Sequence, residues 1–167
     1  TTNIFLLPLA LVAPEKAWDV LRIAREMNSG SAGDIFMQLA SFLYTYAKEG
    51  RKDKVTLLLP EELKDFAIWA EQLIEESLGK DGKGITLFYG ENLTPESVRT
   101  AEANDRVFVQ IKLKGQKVES ILPTYLKSNN YPLFEVELEN IDSIGGLMLG
   151  FQRTVAAIAY LWDICFV

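Results

Sequence analysis

The chain has no histidine among its 167 residues and a single cysteine, Cys165. The first absence removes imidazole metal ligands, Ser-His-Asp triads and imidazole acid-base chemistry. The second excludes an internal disulfide and any multi-cysteine zinc site. It also fits a reducing compartment, with Cys165 expected as an inert thiol packed among aliphatic and aromatic neighbours. Positive charge is scarce: 17 basic against 23 acidic residues leave a net charge of −6, which argues against a nucleic-acid surface. Long apolar runs are missing as well. Ile4 to Ala13 is too short to span a bilayer and is interrupted by Pro8, and nothing basic precedes it as in a secretory signal. Val155 to Trp162, between Arg153 and Asp163, reads as a buried helix. The expectation is a cytoplasmic protein with no membrane and no nucleic-acid partner. A P-loop and a GxGxxG fingerprint are both lacking, and the carboxylates do not cluster into a metal constellation, so no cofactor is expected. Any proton chemistry falls to a carboxylate, a lysine or a tyrosine.

What is present is core material: 49% of the residues are hydrophobic, ample for a single domain spanning 1–167. Pro14 suits a first helical turn, and Ala17, Val20, Leu21 and Ala24 share one face of the helix that follows, with Asn28-Ser29-Gly30 as its end. A second helical pattern carries Phe36, Leu39, Ala40, Leu43 and Ala47, with Gly50 as the stop. After the solvated turn Arg51-Lys52-Asp53-Lys54, the run Val55 to Leu59 reads as a strand buried on both faces, stopped by Pro60. A helix from about Glu61 to Glu76 turns Leu63, Phe66, Ala67, Ala70 and Ile74 inward. Ile85 to Tyr89 is a second buried strand, and Thr94-Pro95 an N-cap with its first helical residue. Val107 to Leu113 and Leu133 to Leu138 alternate apolar with polar residues, as half-exposed strands nearer an edge would. The last helix starts near Ile141 and gathers Ile144, Met148, Phe151, Val155, Ile158 and Trp162. Helices alternating with single short strands predict a three-layer α/β sandwich with a parallel sheet of four or five strands. Ligands in such sheets bind at the carboxyl ends of the strands. The loops Gly79 to Gly84, Gly90 to Asp105 and Lys127 to Pro132 are expected there.

The stretch Glu75-Glu76-Ser77-Leu78-Gly79-Lys80-Asp81-Gly82-Lys83-Gly84 holds the most chemistry. Carboxylates at a helix C-terminus face the negative end of the macrodipole, which raises their proton affinity and suits a general base. The lysines behind them would offset charge on an anionic ligand. The same pattern also fits a solvated helix end with a glycine stop.

From Trp69 to Ile85 the sequence resembles the Glu-Ser-x-Gly-Lys-(Glu/Asp)-x-Lys-Gly-Ile signature of the glucose-6-phosphate isomerase family, most strongly its bacterial forms, including those fused to transaldolase. The rest of the chain, including Leu149 to Ala156 of the terminal helix, is compatible with the second sugar-isomerase (SIS) lobe of that family, a flavodoxin-like fold. The resemblance implies an isomerase of glycolysis and gluconeogenesis that interconverts glucose 6-phosphate and fructose 6-phosphate. It implies Glu76 as the base that carries a proton between C1 and C2. Ser77, Gly79 and Lys80 are then substrate-site residues that orient the carboxylate and shape the turn. Glu75, about 100° away on an ideal helix, does not pair with it.

The departures are specific. The family's ring-opening histidine is lacking from Gly90 to Asp105. Its phosphate-binding Ser/Thr loop and catalytic arginine belong to the first lobe, and its Gln-x-Gly-Val-Glu segment with a lysine would follow the terminal helix. The resemblance thus implies a lobe that is inactive alone, whose partners are a sugar phosphate, an N-terminal SIS lobe and a second copy in a homodimer. The other reading is a non-catalytic SIS-type module for phosphosugar binding or assembly, for which Asn28-Ser29-Gly30-Ser31 is the only hydroxyl-rich loop.

Trp18, Trp69 and Trp162 are expected in the core. Tyr125, Lys127, Ser128, Asn129 and Asn130 precede a strand where they could touch a ligand, but Asn129-Asn130 before Tyr131-Pro132 is first of all a turn signal. Ile4 to Val12 and Ile164 to Val167 are expected to present an apolar face for the companion lobe or for self-association.

Overall fold

The computed structural model describes residues 3–29, 34–49, 51–99, 105–116 and 121–165. Gly30, Ser31, Gly50 and residues 100–104, on which some of the expectations fall, lie outside the described residues. Three helices open the chain: α1 (Asn3–Val12), α2 (Pro14–Met27) and α3 (Asp34–Lys48). Strands and helices then alternate as β1 (Lys54–Leu58), α4 (Lys64–Leu78), β2 (Thr86–Tyr89), α5 (Pro95–Val98), β3 (Arg106–Leu113), α6 (Leu122–Ser128), β4 (Leu133–Leu138) and α7 (Ile144–Trp162). Pro14 occupies the first turn of α2, where its missing N–H costs nothing. Thr94 and Ser97 close a reciprocal capping box on the single turn of α5.

All three strand pairings are parallel, in the order β2-β1-β3-β4. The order reverses beside β1, so a switch point lies between β1 and β3. Strand alternation divides the side chains between two faces. Val55, Leu57, Leu87, Val107, Val109, Ile111, Val136 and Leu138 pack with α3, α4 and α7 into the main core. Phe108 packs on the other face with Val98 of α5 and with Leu122 and Leu126 of α6. The expected three-layer α/β sandwich with a four-stranded parallel sheet is the architecture found.

Helix α7 organises the main core. With the turn before it, it forms a stretch, Ile141–Trp162, long and apolar enough to cross a membrane by length and composition. Here it is a core helix: Leu147, Phe151, Val155 and Ile158 are buried against α3, α4 and the sheet. Its Gly150 lies so close to α3 that a Cβ there would stand 2.3 Å from the Phe36 ring.

Several expectations are corrected. Strand β3 is central, and its polar residue Gln110 is buried beneath the second helical layer instead of facing solvent. Strand β2, expected to be buried on both faces, is an edge strand. Trp18 is 80% exposed, because α2 turns Ala24 and its neighbours toward α7 and Trp18 away from it. Cys165 is exposed rather than packed, one residue beyond the buried Ile164. Trp69 and Trp162 do pack against the core, partly buried. The loops also change ends. A crossover helix runs antiparallel to its strands, so the loops after α4 and α6 lie at the amino ends of β2 and β4. Of the three predicted loops, Gly90 to Asp105 alone leaves a strand's carboxyl end.

Candidate functional site

Helix α4 ends where Gly79 adopts φ −75°, ψ 62° and donates its N–H to the Glu75 carbonyl at 2.9 Å. A Cβ at this position would stand 2.5 Å from the Glu75 carbonyl oxygen, a backbone atom that cannot swing aside, so this stop requires glycine. The chain then reverses through Lys80-Asp81-Gly82-Lys83. Asp81 and Gly82 have φ of 56° and 72°, and the Lys83 N–H donates to the Lys80 carbonyl at 3.0 Å. Two successive positive φ angles mark the type I′ geometry, which favours Asp-Gly.

This turn is fastened from behind. Lys80 Nζ donates to the Cys165 carbonyl at 2.8 Å, and Lys83 Nζ donates to the Trp162 carbonyl at 2.5 Å. Lys83 thereby satisfies an orphaned carbonyl of the last residue of α7, where the negative end of the dipole favours a cation, and Lys80 holds the segment just beyond it. Sequence reasoning gave these lysines to a ligand; their described partners are the chain's own backbone.

Three glutamates line the last two turns of α4. The Tyr89 hydroxyl donates to Glu71 Oε2 at 3.1 Å, and this bond to a carboxylate pushes the phenol's pKa up. Glu75 Oε1 accepts the Leu87 N–H of the edge strand at 3.1 Å, occupying a donor that would otherwise invite another strand. Glu76, one residue on, is rotated away from the sheet and exposed, and its Oε1 accepts from Gln72 Nε2 at 3.0 Å. The two glutamates do not work as a pair. Ser77 is half-buried and makes no side-chain hydrogen bond among the described residues. The structure therefore brings Glu76, Ser77, Gly79 and Lys80 together at one rigid helix end, at the amino side of the sheet. It presents a carboxylate outward beside a turn held by backbone and lysine hydrogen bonds. Among the described residues no three or more carboxylates or thiols converge to hold a metal ion.

Of the polar cluster on the second face of the sheet, the sequence placed the loop that carries Glu91, Gly90 to Asp105, at a strand's carboxyl end, and missed Thr56 and Gln110. A cavity of about 650 Å³ opens there at the carboxyl ends of β1 and β3, and Thr56, Glu91 and Gln110 line it. Glu76, Ser77, Gly79 and Lys80 do not. Glu91 Oε2 accepts from Thr56 Oγ1 at 3.0 Å and from Arg106 Nη1 at 2.7 Å, and the Arg106 guanidinium lies 4.9 Å from the Phe88 ring centre. The available signal was a threonine inside an apolar strand and a glutamine inside an alternating one. Both were read as pattern rather than as a site.

No family model matches the chain. It is 30% identical over 129 residues to a glucose-6-phosphate isomerase of Methanocaldococcus jannaschii, an alignment covering 74% of this chain and 29% of that protein. It is also 30% identical over 167 residues to a probable glucose-6-phosphate isomerase of Halobacterium salinarum, covering 92% of the chain and 36% of the relative. A glucose-6-phosphate isomerase of Mycoplasmopsis synoviae matches at 28% identity over 90% of the chain and 45% of its own length. Among solved structures, a hypothetical protein from Thermus thermophilus superposes with a TM-score of 0.63 at 15% identity, covering 91% of this chain and 46% of that one, a likeness of fold alone. The chain spans less than half the length of these curated relatives, and over that span it is similar to glucose-6-phosphate isomerases.

Proposed function

We propose that the chain acts as the second, SIS-type lobe of a glucose-6-phosphate isomerase, with Glu76 as the base that moves a proton between C1 and C2 of the open-chain sugar phosphate. The observation that carries this reading is the position of Glu76: the signature glutamate stands outward at the end of α4, on a turn locked by Gly79 and fastened by two lysines. Likeness to several curated isomerases supports it. One base on one side of the substrate suffices, because the proton leaves one carbon and returns to its neighbour with little movement. Abstraction at C2 of the aldose leaves a cis-enediolate; the hydroxyl proton passes from O2 to O1, and return of a proton from the base to C1 gives the ketose, so no atom is gained or lost.

A solvent-facing carboxylate does not catalyse this step alone. On this reading a first lobe covers Glu76 and supplies the phosphate site, so that binding energy from the phosphate holds C1 and C2 against the carboxylate. The isolated chain is accordingly expected to be inert in a coupled isomerase assay. In the complete two-lobed enzyme, Glu76→Gln lowers kcat by about 10²- to 10⁴-fold with little change in KM. Unchanged turnover in that variant would remove Glu76 from the mechanism.

One observation favours a second reading, a non-catalytic assembly module. Exposed large apolar side chains concentrate on α1 (Leu7, Leu11, Val12), on α2 (Trp18) and at the end of α7 (Tyr160, Leu161). If assembly is the only role, Trp18→Glu abolishes association while Glu76→Gln changes nothing.

A further inference from the structure

The cavity at the switch point lies one length of α4 away from Glu76, about 20 Å by the helical rise, and no role in proton transfer reaches it. Its volume falls in the range that holds small-molecule ligands, and its position between β1 and β3 is where doubly wound sheets bind them. Leu58, Leu93, Leu122 and Pro123 make apolar walls.

Gln110 is the feature that points to a ligand. It is only 5% exposed, its Oε1 is sealed from solvent without a donor, and its amide donates to no group among the described residues. A sealed amide oxygen left unpaired in the middle of a central strand is costly, and an apolar residue of the same volume would avoid that cost. Near it, Glu91 spends one oxygen on Thr56 and Arg106, and its Oε1 has no partner among the described residues. The electrostatics oppose an anion. Glu61 and Glu62 line the cavity, Glu91 is already matched by Arg106 at 2.7 Å, and the one lining ammonium, Lys112, is paired with Glu135 at 3.0 Å. The segment after β1, Leu59-Pro60-Glu61-Glu62, offers carboxylates where a phosphate would need backbone donors.

We propose that this cavity binds a neutral ligand bearing vicinal hydroxyls: a free sugar, or the ribose of a nucleoside. One hydroxyl donates to the Glu91 carboxylate. Its neighbour exchanges hydrogen bonds with the Gln110 amide, whose donor and acceptor ends trade places by rotation about the last side-chain torsion. The leucine and proline walls take the C–H face of the ring. The site is separate from the isomerase reading and stands or falls without it.

The test is titration of the folded chain with D-glucose, adenosine and glucose 6-phosphate, followed by amide chemical shifts. D-glucose or adenosine is expected to shift the amides of Thr56, Glu91 and Gln110 with saturation in the millimolar range, glucose identifying a sugar site and adenosine a nucleoside site. Gln110→Met is expected to weaken that binding at least tenfold while the melting temperature holds or rises. Gln110→Asn, which keeps the amide and withdraws it by one methylene, gives the same loss if the Met variant does not fold. Three results overturn the proposal: no shift at these amides with either neutral ligand, binding unchanged in both Gln110 variants, or tighter binding of glucose 6-phosphate than of glucose.

Discussion

The two ends of α4 differ in kind. Its C-terminal end carries the recognisable stretch from Glu76 to Lys83, is fixed by backbone geometry and two lysine anchors, and holds its carboxylate in solvent. The segment leading into its N-terminal end carries no familiar motif, yet borders a cavity floored by an unsatisfied amide and a partly buried ion pair. The contrast teaches that a motif and a cavity report different things. A motif marks chemistry that a lobe presents to something outside itself. A cavity marks what the lobe encloses with its own residues.

Perturbations at each end should leave the other untouched, and they rank by size. On the proposed isomerase reading the largest is Glu76→Gln in a two-lobed enzyme: the loss of about 10²- to 10⁴-fold in kcat given above, with the melting temperature unchanged because the carboxylate is exposed. Coupled kinetics beside a thermal melt checks both halves. Next comes Glu91→Ala. Arg106, with a side chain only 14% exposed, loses its carboxylate partner, and stability falls by about 2 kcal/mol in urea unfolding. The turn after α4 should keep its hydrogen-exchange protection in the native state. If the two ends were coupled, that protection would fall with the substitution.

A smaller effect follows from Lys80→Met combined with Lys83→Met. Releasing the turn from the end of α7 costs about 1 kcal/mol and loosens Glu76's support, seen as faster amide exchange from Gly79 to Gly84. The cavity end should show no change. Smallest is the pH response at Glu135. Burial raises its pKa, but the Lys127 and Lys112 ammoniums outweigh burial and hold the carboxyl below the usual range. A carboxylate with a depressed folded pKa stabilises fully above its unfolded value, about 4.3, and loses that contribution as pH falls through the folded value. Glu135→Gln is therefore expected to flatten the acid limb of the stability curve by less than about 1 kcal/mol and to leave neutral pH nearly unaffected in its slope.

The order of elements was legible because periodicity and glycine or proline stops act locally. Leu133 to Leu138 matches β4 end to end, and the other strands start within a residue of their expected positions. Placement within the sheet was less legible. Alternation in β3 looked like an edge because polar residues buried under the short helices α5 and α6 resemble polar residues facing water. Trp18 shows the same limit from the other side, since a large apolar residue says nothing by itself about what covers it. The motif end was legible down to the glycine stop at Gly79, but the lysines' anchoring on α7 depends on residues about 80 positions away, with separations of 85 and 79. Nothing local encodes such a contact. Only one wall of the cavity was legible, the Gly90 to Asp105 loop that holds Glu91; its meeting with Thr56 and Gln110 was not, because the three come from separate elements.

The central claim is that Glu76 carries the sugar's proton, and isotope exchange reads that step without relying on net turnover. The two-lobed enzyme is incubated with glucose 6-phosphate in D2O, and deuterium entering C2 is followed by proton NMR. The enzyme carrying Glu76 is expected to incorporate deuterium, and Glu76→Gln to lose that incorporation. Deuterium entering C2 at the same rate without that glutamate would contradict the claim.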